Sequence, residues 1–330
     1  MKTDIKEINN QGVVHFLNKN FAEAKNKYTE ALSLDADNTT TLNNLGLLYL
    51  HEKKNKEAEE LFRKAFTISE NETYALNLGH SLIYQKQFLE AEKYYLKSIN
   101  IKRTNLQSWE SLVSLYEYTG QFEKAIDTLQ TLIITGNSKV VYKIKLSKLL
   151  IKIEKYKEAL DMLYTSLDNR GYESEILYYI AFVHLKNQNL GLAKTAVENS
   201  LSHNPFRELS LELAATIAIS LLDNEMAIKY WNEILKINSM NHAVRINKSI
   251  LYISKKQTKQ ALNELDFVLN FEPKNPKALY YKAVLYLEEK NKLYDAEKIL
   301  KTLLQFQNDY AEKASAMLYN IFKQKKDDVD

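Results

Sequence analysis

LNNLGLLYLHEKKNKEAEELFRKAF, residues Leu42 to Phe66, decides how the chain is read. Leu42, Leu45, Gly46, Tyr49 and Leu50 recur at steps of three and four, the spacing that places side chains on one face of an α-helix. Ala58, Leu61, Phe62 and Ala65 repeat that spacing after HEKKNKE, a connection without an apolar side chain. Neither predicted helix is long enough to stand alone or wide enough in its apolar face to make a core, so the hairpin needs copies of itself.

Copies run the length of the chain. Aligned on the small residue inside the second helix they give Ala24, Ala58, Ala91, Ala125, Ala159, Ala193, Ala227, Ala261 and Ala296, at steps of 34, 33, 34, 34, 34, 34, 34 and 35. The short step falls in the loop Ser69 to Thr73, and the long one in the last turn, between Tyr286 and Ala296. Twelve residues before the alanine stand mostly small side chains, among them Gly12, Gly46, Gly79, Ser147, Ala181, Ala215 and Ser249. Four residues after it stand bulky apolar ones: Tyr28, Phe62, Tyr95, Leu129, Leu163, Val197, Trp231, Leu265 and Leu300. A small residue facing a large one lets two helix backbones approach closely without leaving a void.

On these residues the chain resembles the tetratricopeptide repeat family, whose period and small/large signature it shares. The best matches are Leu45, Gly46, Tyr49, Ala58, Phe62 and Ala65, then Trp109, Leu112, Tyr116 and Ala125. The resemblance implies an all-α, right-handed α-solenoid of about nine helical hairpins over residues 5–306, with the first helix of each pair lining the concave side. Lys248 and Lys282 depart from it, standing where the family usually has an apolar residue, and mark the eighth and ninth units as packing differently or facing a partner. DYAEKASAMLYNIF, Asp309 to Phe322, is predicted to be an amphipathic helix capping the last unit; Lys323 to Asp330 reads as a charged flexible tail.

Composition agrees and narrows the function classes. Three prolines and seven glycines in 330 residues leave little material for turns and favour helix throughout. Lysine plus arginine number 45 against 42 aspartates and glutamates, a net charge of +3, which is too balanced to favour nucleic acid or an anionic membrane. Without cysteine there is no disulfide, thiolate metal site or cysteine nucleophile. The opening MKTDIKEINNQGVV lacks the apolar run of a secretion signal, and the longest apolar stretch, Leu211 to Leu222, is short and carries Glu212. The expectation is a cytoplasmic protein that does not span a membrane.

The six histidines form no HExxH pair, and no GxSxG or phosphate-cradling glycine loop occurs, so no enzyme, cofactor or metal is expected. The informative surface is the side of the first helices that the core does not use. Fourteen residues before the alanine stand Asn10, Asn44 and Asn77. An asparagine amide both donates and accepts, so it can pair with the peptide unit of an extended ligand, in the manner of the asparagine ladders of peptide-binding repeat proteins. His80, Tyr84, Tyr118, Tyr179 and Phe182 add aromatic contacts to that face. Lys145, Lys148 and Lys152 share one helical face and suggest a dock for an acidic segment. The reading is a non-enzymatic scaffold holding an extended or acidic peptide segment of a protein partner. Its alternatives are a ligand-responsive sensor or assembly regulator that changes superhelical pitch, and, less favoured by the charge balance, an RNA-binding helical repeat. Composition leaves the oligomeric state open.

Overall fold

The computed structural model describes residues 4–327. They form nineteen α-helices and one 3-10 segment. The hairpins are α1 (Ile5–Leu17) with α2 (Phe21–Leu34), α3 (Thr39–His51) with α4 (Asn55–Ile68), α5 (Glu72–Tyr84) with α6 (Phe88–Ile101), α7 (Leu106–Tyr118) with α8 (Phe122–Ile134), and α9 (Val140–Lys152) with α10 (Tyr156–Tyr164). They continue as α11 (Glu173–Lys186) with α12 (Leu190–His203), α13 (Glu208–Ser220) with α14 (Asn224–Ile237), α15 (His242–Ser254) with α16 (Thr258–Phe271), and α17 (Pro276–Leu287) with α18 (Leu293–Leu303). A last helix, α19 (Asp309–Asp327), follows. The chain is an all-α repeat solenoid of nine hairpins among the described residues, and it divides into two compact units, residues 1–162 and 163–330.

Eight of the nine hairpin turns place one residue in the left-handed backbone region. Lys19, Lys53, Lys86, Gly120, Glu154, Gln188, Leu222 and Lys256 fill that place, five residues before the alanine, with φ between 58 and 73°. Glycine is used once because a single exposed left-handed residue costs only about 1–2 kcal/mol. The ninth turn has one residue more and closes instead through a 3-10 segment, Lys290–Lys292. The 33-residue step has an equally plain cause. Four residues separate α2 from α3, but only Ser69, Glu70 and Asn71 separate α4 from α5. Asn38, Asn71, Asn241 and Asn275 cap the helices that follow by accepting a backbone N–H, which satisfies a donor that the first turn leaves open.

All nine repeat alanines are fully buried. Across from them, Gly12, Gly46 and Gly79 lie against aromatic rings. A Cβ on Gly46 would stand 2.6 Å from Phe62 Cε1, and one on Gly79 would stand 2.5 Å from Tyr95 Cε1. The pairing buries Phe62 completely, which contributes about 1.5–3 kcal/mol. In the first unit one apolar cluster runs without a break from Ala58 to Ala159. In the second, separate clusters form around Trp231, Leu265 and Leu300.

Lys248 and Lys282 are accounted for internally. Lys248 is 5 % exposed and donates from Nζ to Glu264 at 2.6 Å, while Arg245 meets the same carboxylate at 2.8 Å and Lys282 meets Asp266 at 2.6 Å. Neither lysine is turned toward a partner; each extends from an odd-numbered helix to a carboxylate of α16. At the C-terminal end Ala314, Leu318 and Ile321 of α19 close over Leu279, Ala283 and Leu300. That helix continues through Asp327, beyond the expected stop at Phe322, and residues 328–330 of the expected tail lie outside the described residues.

Candidate functional site

Asn44 and Asn77 were expected to face a ligand, and the structure gives them nearer partners. Asn77 donates from Nδ2 to Asn43 Oδ1 at 2.7 Å, Asn44 donates to Asn9 Oδ1 at 3.0 Å, and Asn43 Nδ2 reaches Asn44 Oδ1 at 3.5 Å. The amides therefore form a relay across α1, α3 and α5. Its cause is register. A residue fifteen before one repeat alanine lies beside the residue fourteen before the next, and both positions carry asparagine here. Asn44 has both ends of its amide engaged and Asn77 is 9 % exposed; of the three only Asn10 is exposed.

What this face does offer is a cleft of about 380 Å³ formed by α5, α6 and α7. Along α7, Gln107, Glu110, Ser111, Ser114 and Tyr118 share one helical face and make one wall, while α5 supplies His80 and Ile83. Tyr95 comes from α6, whose ring passes Gly79 so that its hydroxyl lies 3.0 Å from His80 Nδ1. Burial pushes the His80 imidazole below its usual range, so it is neutral at neutral pH, and burial pushes the Tyr95 phenol up, so it keeps its proton. Glu110 accepts from the Tyr142 hydroxyl at 2.8 Å, and Tyr142 is pushed up to about 12 by burial and by that carboxylate.

The second unit carries its own cleft, about 300 Å³, formed by α13, α14 and α15. Thr216, Ile219, Trp231, Asn247, Ile250, Leu251 and Ser254 line it, and each stands 136 residues after a residue lining the first cleft. That is four repeat lengths, so the two clefts are the same place in the repeat with different chemistry. Where the first has His80, Tyr95 and Ser114, the second has Thr216, Trp231 and Ile250.

Of the residues singled out in the sequence, the structure brings His80 and Tyr118 together in the first cleft. Tyr84 is exposed at the end of α5 but does not line it. The lysine face on α9 is drawn into internal contacts: Lys145 pairs with Glu117 at 2.8 Å, and Lys152 Nζ sits 4.2 Å from the centre of the Phe122 ring. Lys148 is exposed on the same helix. In the second unit Tyr179 meets Tyr178 edge to face at 5.0 Å, and Lys186 lies over Phe182 at 5.4 Å. Sequence reading did not single out Glu110, Gln107 or Tyr95 as site residues, nor the second cleft as a site. Projecting the lining positions of one repeat pair onto the others would have found them, since the period was already in hand.

Comparison with known proteins gives the same kind of chain. Family models described as tetratricopeptide repeat match residues 39–72 and 73–105. The BBSome complex member BBS4 of Bos taurus is 23 % identical over 270 residues, covering 71 % of this chain and 52 % of the bovine protein. A TPR repeat-containing protein of Methanocaldococcus jannaschii is 26 % identical over 259 residues, covering 73 % of this chain and 45 % of its own. This chain thus spans about half the length of the curated relatives it matches. Among solved structures, the C-terminal part of a TPR repeat-containing protein from Cytophaga hutchinsonii superposes with a TM-score of 0.60 at 17 % identity, over 71 % of this chain and 96 % of that one, a likeness of fold.

Proposed function

Since the chain is a tetratricopeptide repeat protein, we propose that it is a non-enzymatic scaffold that holds an extended segment of a partner protein against its odd-numbered helices. The observation that supports this reading most is the recurrence of one cleft at the same repeat register in each unit. A cleft of about 300–400 Å³ has the volume to take one or two side chains of an extended segment and is at the small end for a drug-sized ligand. Extended peptides are recognised in this way, by alternate side chains entering pockets along a rigid surface. The net charge of +3 over 330 residues gives RNA no comparable footing.

The experiment is selection of a random twelve-residue peptide library on the full chain, then affinity measurement of the selected peptides on variants that plug each cleft. Ser114→Trp for the first and Thr216→Trp for the second are expected to lower affinity at least about tenfold with little change in melting temperature, because both positions are exposed on their helices. Peptides that bind both variants as tightly as the unmodified chain would place the binding surface elsewhere.

A further inference from the structure

Glu110 is the one charged residue lining the first cleft, and its charge is not spent within the protein. Neighbouring carboxylates on the same helices are matched: Glu117 by Lys145 at 2.8 Å, Glu92 by Lys124 at 3.1 Å, Glu72 by Lys102 at 2.8 Å. Among the described residues no lysine or arginine pairs with Glu110; its one partner is the hydroxyl of Tyr142, which donates to Oε1. That bond steadies the carboxylate without neutralising it and leaves the second oxygen available. At the other end of the same α7 wall stands Tyr118, 75 % exposed, packed on one side against Phe88 at 5.5 Å, with no cation over its ring among the described residues. Elsewhere this chain places lysines over tyrosine rings, as Lys124 over Tyr116 at 5.2 Å and Lys25 over Tyr49 at 5.3 Å.

We infer that the first cleft selects a basic side chain, arginine or lysine, of the partner segment, with Glu110 as counter-ion and Ser111 and Ser114 as hydroxyl acceptors, while Tyr118, two turns further along α7, offers its aromatic face to the adjoining part of the segment. This rests on the peptide-scaffold reading and specifies its partner. The cation finds a carboxylate that the protein leaves without a counter-ion and that the Tyr142 hydroxyl holds in place, so that a charged hydrogen bond can form at its second oxygen. His80, neutral through burial, adds no opposing charge. The lysine face on α9, expected to dock an acidic segment, lies outside this cleft, whose own charge has the opposite sign. The second cleft has no charged lining residue and places no such demand.

The test uses the full chain and a library of twelve-residue peptides with random flanks and a central position fixed as arginine, lysine, leucine, glutamine or glutamate. Arginine and lysine peptides are expected to dominate the bound pool. In Glu110→Gln, which can still accept from Tyr142, their advantage should fall about three- to tenfold, the range of a partly exposed charged hydrogen bond. In Glu110→Lys the preference should turn to glutamate. A bound pool indifferent to the central charge, or one unchanged in Glu110→Gln, overturns the basic-side-chain assignment and leaves the scaffold reading standing. A chain that retains no peptide of any charge overturns both.

Discussion

Gly46 shows how much of this fold turns on single atoms. Its missing Cβ is the space that Phe62 occupies, since a methyl there would approach the ring to 2.6 Å. Gly46→Ala is therefore expected to destabilise by about 1–3 kcal/mol, the cost of overpacking a filled core, although alanine is the better helix former. Gly191 supplies the control: it too is helical, nothing lies within 4 Å of its added Cβ, and Gly191→Ala should stabilise by about 0.4–1 kcal/mol. Urea unfolding of the two variants checks the contrast, and equal shifts in the same direction would deny the close approach. Asn77 makes the same point for a polar group. Its amide is the donor to Asn43, which is 6 % exposed, so Asn77→Ala leaves a buried acceptor without a donor. A loss of about 1–2 kcal/mol in the same urea experiment is expected. An asparagine held in reserve for a ligand would have cost nothing.

At the scale of the helices, α15 and α16 carry an arrangement that no other hairpin repeats in this form among the described residues. Lys248 and Arg245 both end on Glu264, with side chains only 7 and 15 % exposed. Arg245 also lies 3.6 Å from the centre of the Phe267 ring, which fixes its guanidinium plane. A buried triad of this kind is costly to break and modest in its net contribution, because desolvation offsets most of the attraction. Glu264→Gln, which leaves two cations facing a neutral amide, should cost about 2–4 kcal/mol. Lys248→Met leaves Glu264 paired with Arg245 and should cost less than about 1.5 kcal/mol. Thermal unfolding of both variants distinguishes this asymmetry from an exposed pair, for which each change would be small. The apolar place in the repeat is thus filled by the lysine's methylene stem, with its ammonium carried to α16.

For the molecule as a whole, the sequence alone settled the architecture, because the signals for it are local and repeated. Helical spacing, a buried alanine and a bulky partner recur within each thirty-odd residues, and nine concordant copies leave no other way to bury the stripes. Even the irregular steps were legible: the missing residue shortens the loop before α5, and the extra one becomes the 3-10 turn before α18. The candidate site was legible only in part: type and position marked His80 and Tyr118, which meet in one cleft, but not the hydrogen bonds that Asn44 and Asn77 make across repeats. What only the tertiary structure decided is which side chains meet across repeats. Asn77 finds Asn43, Tyr95 reaches His80 past Gly79, and Lys145 finds Glu117 while Glu110 is left with a tyrosine hydroxyl. The physical reason is that a residue's phase within its own repeat fixes which way it points, whereas its partner belongs to another helix, up to a full repeat length away, and is set by the packing of that pair.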